Sequence, residues 1–128
     1  MLDPVVVKPR SLSDYRAIIG DERLNEIMEL ARPLRGARVL HVNATAYGGG
    51  VAELLTTLVP LMCDVGVSAE WHVIQGADEF FNVTKAMHNA LQGMPLRWTP
   101  EMFELWRTYN RGNAQRFDQD WDYVVIHD

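Results

Sequence analysis

An open α/β domain, a parallel sheet flanked by helices, is the fold class this sequence predicts, and three observations predict it. Arg38–Asn43 carries Val39, Leu40 and Val42, which point to both faces of a strand, as expected of one covered on both faces. Three consecutive glycines, Gly48–Gly50, follow it, and an amphipathic run opens at Val51. Two further expected strands, Ser68–Ile74 and Tyr123–Ile126, alternate with helical stretches. Strands that alternate with helices imply a parallel sheet joined by right-handed crossovers.

The elements follow in order. Val5–Val7 is expected as a short strand closed by Pro9. Ser11 or Ser13 caps a short helix that Gly20 ends, and Asp21 caps a second one from Glu22 to Arg32. Leu24, Ile27, Met28, Leu30 and Ala31 form its broad apolar face, and Pro33 and Gly36 stop it. After the Arg38–Asn43 strand, Val51–Val65 is helical, with Pro60 expected to kink or divide it. Gly66 ends that helix, Ser68–Ile74 is the second central strand, and Gln75-Gly76 is a turn. Asp78–Leu91 is a helix stopped by Gly93, and Pro95–Trp98 is irregular. Thr99 as N-cap and Pro100 at the first helical position open a helix to about Phe117. Residues 118–122 make a polar turn before the Tyr123–Ile126 strand, which is of the buried type. Residues 1–36 therefore read as an N-terminal strand and helical extension, and 37–128 as the first part of a Rossmann-like domain. The chain stops at His127-Asp128 with no covering helix behind its last strand, so it is expected to be part of something longer.

With 128 residues the chain is expected to hold one domain and to bury roughly two-thirds of its unfolded surface. Its 48% hydrophobic content is that of a globular protein. A net charge of −5 without any Lys/Arg run excludes nucleic acid or an anionic membrane as the main partner. A lone cysteine, Cys63, excludes an internal disulfide and is expected to be a buried apolar residue. Asp3 and Pro4 interrupt any signal-peptide pattern, and no stretch approaches the roughly 20 apolar residues of a membrane span. The chain reads as cytoplasmic.

Glycine lacks a Cβ, so Gly48, Gly49 and Gly50 let a ligand approach the main chain, and the helix behind them offers N–H groups and positive dipole to an anion. A third fingerprint glycine would stand at position 53, where Glu53 stands, and no Gly-Lys-Ser/Thr follows, so neither the dinucleotide nor the Walker A pattern is met. Ligands of open parallel sheets sit beyond the carboxyl ends of the strands. Those ends are Asn43 with the glycine loop, Gln75-Gly76, and His127-Asp128. If the last strand lies beside the first, His127 faces the loop. His41 and His72 are expected to be satisfied core histidines, and His88 to lie on a helix. Glu53 favours the helix dipole in its first turn. Trp98, Trp106 and Trp121 are expected to pack cores. No two histidines have a metal spacing, so no metal and no cofactor is expected.

The segments His41-Val42-Asn43-Ala44-Thr45 and Gly48-Gly49-Gly50-Val51-Ala52-Glu53 resemble the start of the trehalose-forming glycosyltransferring synthases. These are group 1 (family 4) retaining glycosyltransferases with the GT-B fold. Glu79-Phe80-Phe81-Asn82-Val83-Thr84-Lys85, His88–Gly93 and the lead-in from Ser13 to Gly20 are similar to the same subgroup, and Phe-Phe-Asn-Val-Thr is the most specific block. The resemblance implies two Rossmann-like domains with the site between them, of which this chain is an incomplete N-terminal, acceptor-side domain. It implies transfer of glucose from a nucleoside diphosphate glucose to glucose, with retention, giving trehalose. The family pattern Asp-x-x-x-x-His-Asp is met from Asp122 to Asp128, which makes His127 the catalytic candidate beside the transferred sugar. Asn43, Gly48, Gly49, Gly50 and Glu53 are the substrate-binding candidates. The family's donor-binding glutamates and cations belong to the second domain, so this chain alone is expected to be inactive; a homodimer is expected from the apolar face and unpaired edge of the uncovered last strand.

Two other readings compete. One is a non-enzymatic α/β module that self-associates. The other is a nicotinamide dinucleotide domain, which wants an acid ending the second strand about 20 residues beyond the glycines. Gln75 ends that strand and Glu70 begins it, which weakens the dinucleotide reading.

Overall fold

A computed structural model describes residues 1–117 and 120–127. The elements are β1 (Asp3–Pro4), a 3-10 turn (Leu12–Tyr15), α1 (Arg16–Ala31), a second 3-10 turn (Arg32–Leu34), β2 (Arg38–Asn43), α2 (Gly50–Asp64), β3 (Ser68–Val73), α3 (Asp78–Leu91), α4 (Pro100–Ala114) and β4 (Tyr123–Ile126). The strands form one sheet in the order β1-β3-β2-β4. β2 is parallel to both β3 and β4, and β1 is antiparallel to β3. This mixed α/β architecture is that of a partial Rossmann-like N-terminal domain, and β4 does lie beside β2.

The chain divides into two compact units, Asp3–Val73 with Gln119–Asp128, and Met1–Leu2 with Ile74–Asp118. In the first, the core forms where α2 meets the sheet. Ala52, Leu55 and Val59, spaced by three and four, put one stripe of α2 against Val39, Ala69 and Trp71. Leu55 is fully buried and Trp71 is 1% exposed. Five of the six residues of β2 are buried, His41 and Asn43 among them, as in a strand covered on both faces.

Several expectations are corrected. The N-terminal strand is Asp3–Pro4, not Val5–Val7. Pairing with β3 decides its position: Asp3 aligns with Val73 and Pro4 with His72, and Val5 N–H donates to Trp71 O at 2.8 Å. Beyond that point Val5 and Val7 pack against the core while Val6 is 96% exposed. Gly20 does break the first helical stretch, with φ 76° and ψ 166°, and Arg16 and Asp21 form a 3.0 Å ion pair across the break. Ser11 stands at the cap position, yet its Oγ contacts Ser13 Oγ and caps no amide. The apolar face of α1 is narrower than the broad stripe expected, since Ala31 is buried but Leu30 is largely exposed.

Pro60 does not divide α2, which runs unbroken from Gly50 to Asp64 with Pro60 buried. Cys63 is exposed, not buried. It lies one turn beyond Val59, where residues 7–10 leave a cleft shared with Pro60 and Asp64, and its Sγ donates to Ala69 O at 3.3 Å. The side chains of β4 are exposed, against the buried type expected: pairing with β2 covers a backbone edge of the strand, while its side chains stand on the faces. The expected turn at 118–122 is described only from Asp120 on; Asp118 and Gln119, like Asp128, lie outside the described residues.

In the second unit, Thr99 caps α4 as predicted, accepting from Met102 N–H at 3.3 Å. The helix ends at Ala114 instead of running to Phe117. α3 and α4 meet through Phe80 and Tyr109, whose rings stack with centroids 4.9 Å apart. Trp98 is 39% exposed and so is not the core residue expected: it precedes α4 in a stretch with no regular structure. No helix among the described residues is long and apolar enough to cross a membrane.

Candidate functional site

The carboxyl end of β2 is built on Asn43. Its side chain is buried, Oδ1 accepts from Trp71 Nε1 at 2.7 Å, and Nδ2 donates to Thr45 O at 2.8 Å. A buried amide satisfied on both atoms turns the chain sharply out of the sheet. Thr45 Oγ1 then donates to Tyr47 O and accepts from Tyr47 N–H, which tightens the next turn.

The glycines follow. Gly48 and Gly49 have φ of 71° and 80°, and Gly49 adds ψ 159°, a combination open essentially only to glycine. Gly50, with ordinary φ, begins α2. The amides of Gly48, Gly49 and Gly50 donate to no acceptor among the described residues, and a Cβ at any of the three would meet open space. The loop is therefore an exposed row of backbone donors at a helix N-terminus, suited to an anionic group. Glu53 lies exposed in the first turn, its N–H donating to Gly49 O at 3.3 Å. It lines a shallow depression of about 540 Å³ with Gly50, Leu54 and Thr57. On another side of the loop, Lys8, Arg10, Tyr47 and Thr56 line a cavity of about 290 Å³. Tyr47 itself is 87% exposed.

At the start of β4, Asp122 sets the register: its N–H donates to Arg38 O, and its Oδ2 accepts from Arg38 N–H at 2.8 Å. Pairing then runs from Val39 opposite Tyr123 to Val42 opposite Ile126. One step further, His127 N–H donates to Val42 O at 2.8 Å. His127 is thus delivered to the same end of the sheet as Asn43.

On that strand end His127 meets His41. The His41 Nδ1 and His127 Nε2 atoms are 2.9 Å apart, and the rings meet edge to edge, their centroids 5.2 Å apart and their planes 23° from parallel. His41 Nε2 lies 3.3 Å from Met62 Sδ. Burial, and secondarily the neighbouring His127, hold the His41 pKa below its ordinary value and favour the neutral ring. His41 is therefore the satisfied core histidine expected, but its partner is the candidate residue itself. His72 is likewise buried and satisfied, bonding Glu70 at 2.9 Å with Trp121 edge-on to its ring. His88 is exposed on α3, next to Gln92.

Sequence reasoning missed several of these parts. Trp71 as the anchor of Asn43 carries no local signal, because the two lie on different strands. The same holds for Asn113, whose buried amide accepts from Gln75 N–H at 2.7 Å and donates to Gln75 O at 2.8 Å. Lys8 and Arg10 bring cations near the loop from a segment read only for its valines. The exposed aromatic Tyr47, one residue before the glycines, was the one signal legible in advance.

Over residues 41–128 the chain matches the family described as trehalose synthase, N-terminal domain. It is 51% identical over 131 residues to a trehalose synthase of Rubrobacter xylanophilus, covering 100% of this chain and 32% of that protein. With a trehalose synthase of Thermococcus litoralis it shares 54% identity over 121 residues, 93% of this chain and 29% of that protein. A trehalose phosphorylase of Pleurotus pulmonarius is 33% identical over 103 residues, covering 74% of this chain and 14% of that protein. The chain spans about a third, or less, of the length of these curated relatives.

Proposed function

The chain belongs to the trehalose synthase N-terminal domain family, and on that premise we propose that it is the acceptor-side part of a retaining glucosyltransferase that makes trehalose. The donor is a nucleoside diphosphate glucose and the acceptor is glucose. Residues 37–128 supply the first part of the acceptor-side domain, with 1–36 as its N-terminal extension. The observation that carries this reading is the shared strand end. His127 stands there beside the β2 end, from which Asn43 leads into an open loop of glycine amides.

In the proposed reaction the C1–O bond to the donor diphosphate breaks while a hydroxyl of the acceptor forms the new C1–O bond on the same face. The acceptor proton passes to the departing phosphate oxygen, so no protein nucleophile is needed. The backbone amides of Gly48–Gly50 and the positive end of α2 stabilise negative charge on that diphosphate. Lys8 and Arg10 add positive charge on the same side of the molecule as the loop. His127 hydrogen-bonds a hydroxyl of the transferred sugar. Asn43, with its amide already occupied, shapes the loop.

The test uses the full-length protein with glucose and a series of nucleoside diphosphate glucoses. Trehalose whose transferred glucose keeps the α configuration of the donor supports the reading, and inversion at that carbon overturns the retaining mechanism. The similarity to trehalose phosphorylases supports a second reading, in which inorganic phosphate cleaves trehalose to a glucose phosphate and glucose. Trehalose with phosphate, and no nucleotide, is the arm that reads it. The higher identity to the synthases favours the first.

A further inference from the structure

We infer that His41 is a positioning residue that fixes the tautomer of His127, so that His127 turns a lone pair on Nδ1 toward the sugar. The ligand in this statement rests on the function proposed above; the tautomer does not. A methionine thioether only accepts hydrogen bonds, so the ring nitrogen 3.3 Å from Met62 Sδ carries the proton. A neutral imidazole has one N–H, and with it on Nε2, Nδ1 of His41 is an acceptor. The 2.9 Å contact to His127 Nε2 then requires that nitrogen to donate. His127 in its neutral form is left with Nδ1 as its acceptor.

The chain of donors therefore runs from a sugar hydroxyl to His127 Nδ1, from His127 Nε2 to His41 Nδ1, and from His41 Nε2 to the sulfur. The opposite orientation would set the His41 Nε2 lone pair against the sulfur lone pairs at a residue only 4% exposed. The ring centroids lie 5.2 Å apart in planes 23° from parallel, so the two nitrogens meet edge to edge, the in-line arrangement that an N–H···N bond requires. A ring held in one tautomer and one orientation offers its acceptor without reorganising at the moment of reaction.

Two measurements test this. In protein labelled with 15N-histidine, without substrate, both rings should show protonated Nε2, and a coupling across the hydrogen bond should join His127 Nε2 to His41 Nδ1. Signals are assigned by their loss in His41→Phe and His127→Ala. Protonated Nδ1 on His41 overturns the inference and leaves the proposed function intact. In the full-length protein, His41→Phe should lower kcat about tenfold with donor KM changed less than twofold, in the range by which partners orienting an active imidazole act. His41→Asn keeps an acceptor where Nδ1 stood and should recover most of that loss. It leaves a larger void, so it should melt lower than His41→Phe. A merely structural His41 would make kcat follow melting temperature; that ordering overturns the inference. In a His127→Ala background His41→Phe should have no further effect on kcat, and an additive loss also overturns it. Failure of the function reading looks different: His127→Ala then leaves transfer unchanged.

Discussion

His41 and His127 are 86 residues apart in the chain, yet their Nδ1 and Nε2 atoms lie 2.9 Å apart on neighbouring parallel strands. The contact joins a buried ring in the middle of β2 to a half-buried ring at the mouth of the candidate site.

Acidification should destabilise the fold through His41. Its folded pKa lies below the ordinary 6.5, so below about pH 6.5 the unfolded chain binds more protons than the folded one. The contribution of the neutral ring is present above that pH and is lost as pH falls toward the folded pKa. Melting of wild type and His41→Phe at pH 7.5 and pH 5.5 checks this. The melting temperature of wild type relative to the variant should drop at the lower pH.

Gly49 and Gly50 should respond differently to substitution although both face open space. Gly49→Val forces a β-branched residue to φ 80° and ψ 159°, at about 1–3 kcal/mol of strain, and should largely abolish transfer in the full-length protein. Gly50→Ala meets no such strain and should stay within about 0.5 kcal/mol of wild type. Denaturant melts with transfer assays on the same preparations separate the two.

Removing the Asn43 amide should harm the fold more than its size suggests. Asn43→Ala leaves Trp71 Nε1–H buried without its 2.7 Å acceptor, a loss of about 1–3 kcal/mol. Trp71→Phe removes the donor instead. In a double-mutant cycle the two losses should couple by about 0.5–3 kcal/mol, measured by urea unfolding.

His127→Ala in the full-length protein should lower turnover roughly 100-fold while donor affinity changes little, as for loss of one hydrogen bond that strengthens in the transition state. Calorimetric donor binding and turnover per folded molecule distinguish this from a stability defect.

The isolated 128-residue chain should form no trehalose and should pair with a second copy. β4 exposes Tyr123, Val124, Val125 and Ile126, and pairs only on its β2 side among the described residues. Sedimentation across a concentration series should show a dimer, and Val125→Lys should return it to monomer.

Local chemistry was enough to read β2, α3 and the start of α4 in the sequence. Val39, Leu40 and Val42 put apolar side chains on both faces of β2, Gly93 follows the end of α3, and Thr99 with Pro100 is a self-contained capping signal. The glycine run marked the loop between β2 and α2, but that Gly48 and Gly49 take positive φ and Gly50 does not is seen only in the structure. Tertiary structure alone decided the rest. Valine propensity favoured residues 5–7 as a strand, but hydrogen bonds are made where a partner edge is free, and β3 offered that edge to Asp3 and Pro4. Cys63 has apolar neighbours in sequence, yet burial depends on what crosses over a helix turn, and residues 7–10 leave it in an open cleft. His127 could be nominated from its place at a strand end. Its partnership with His41 arises from the β2–β4 register, a relation between distant segments that no local pattern encodes.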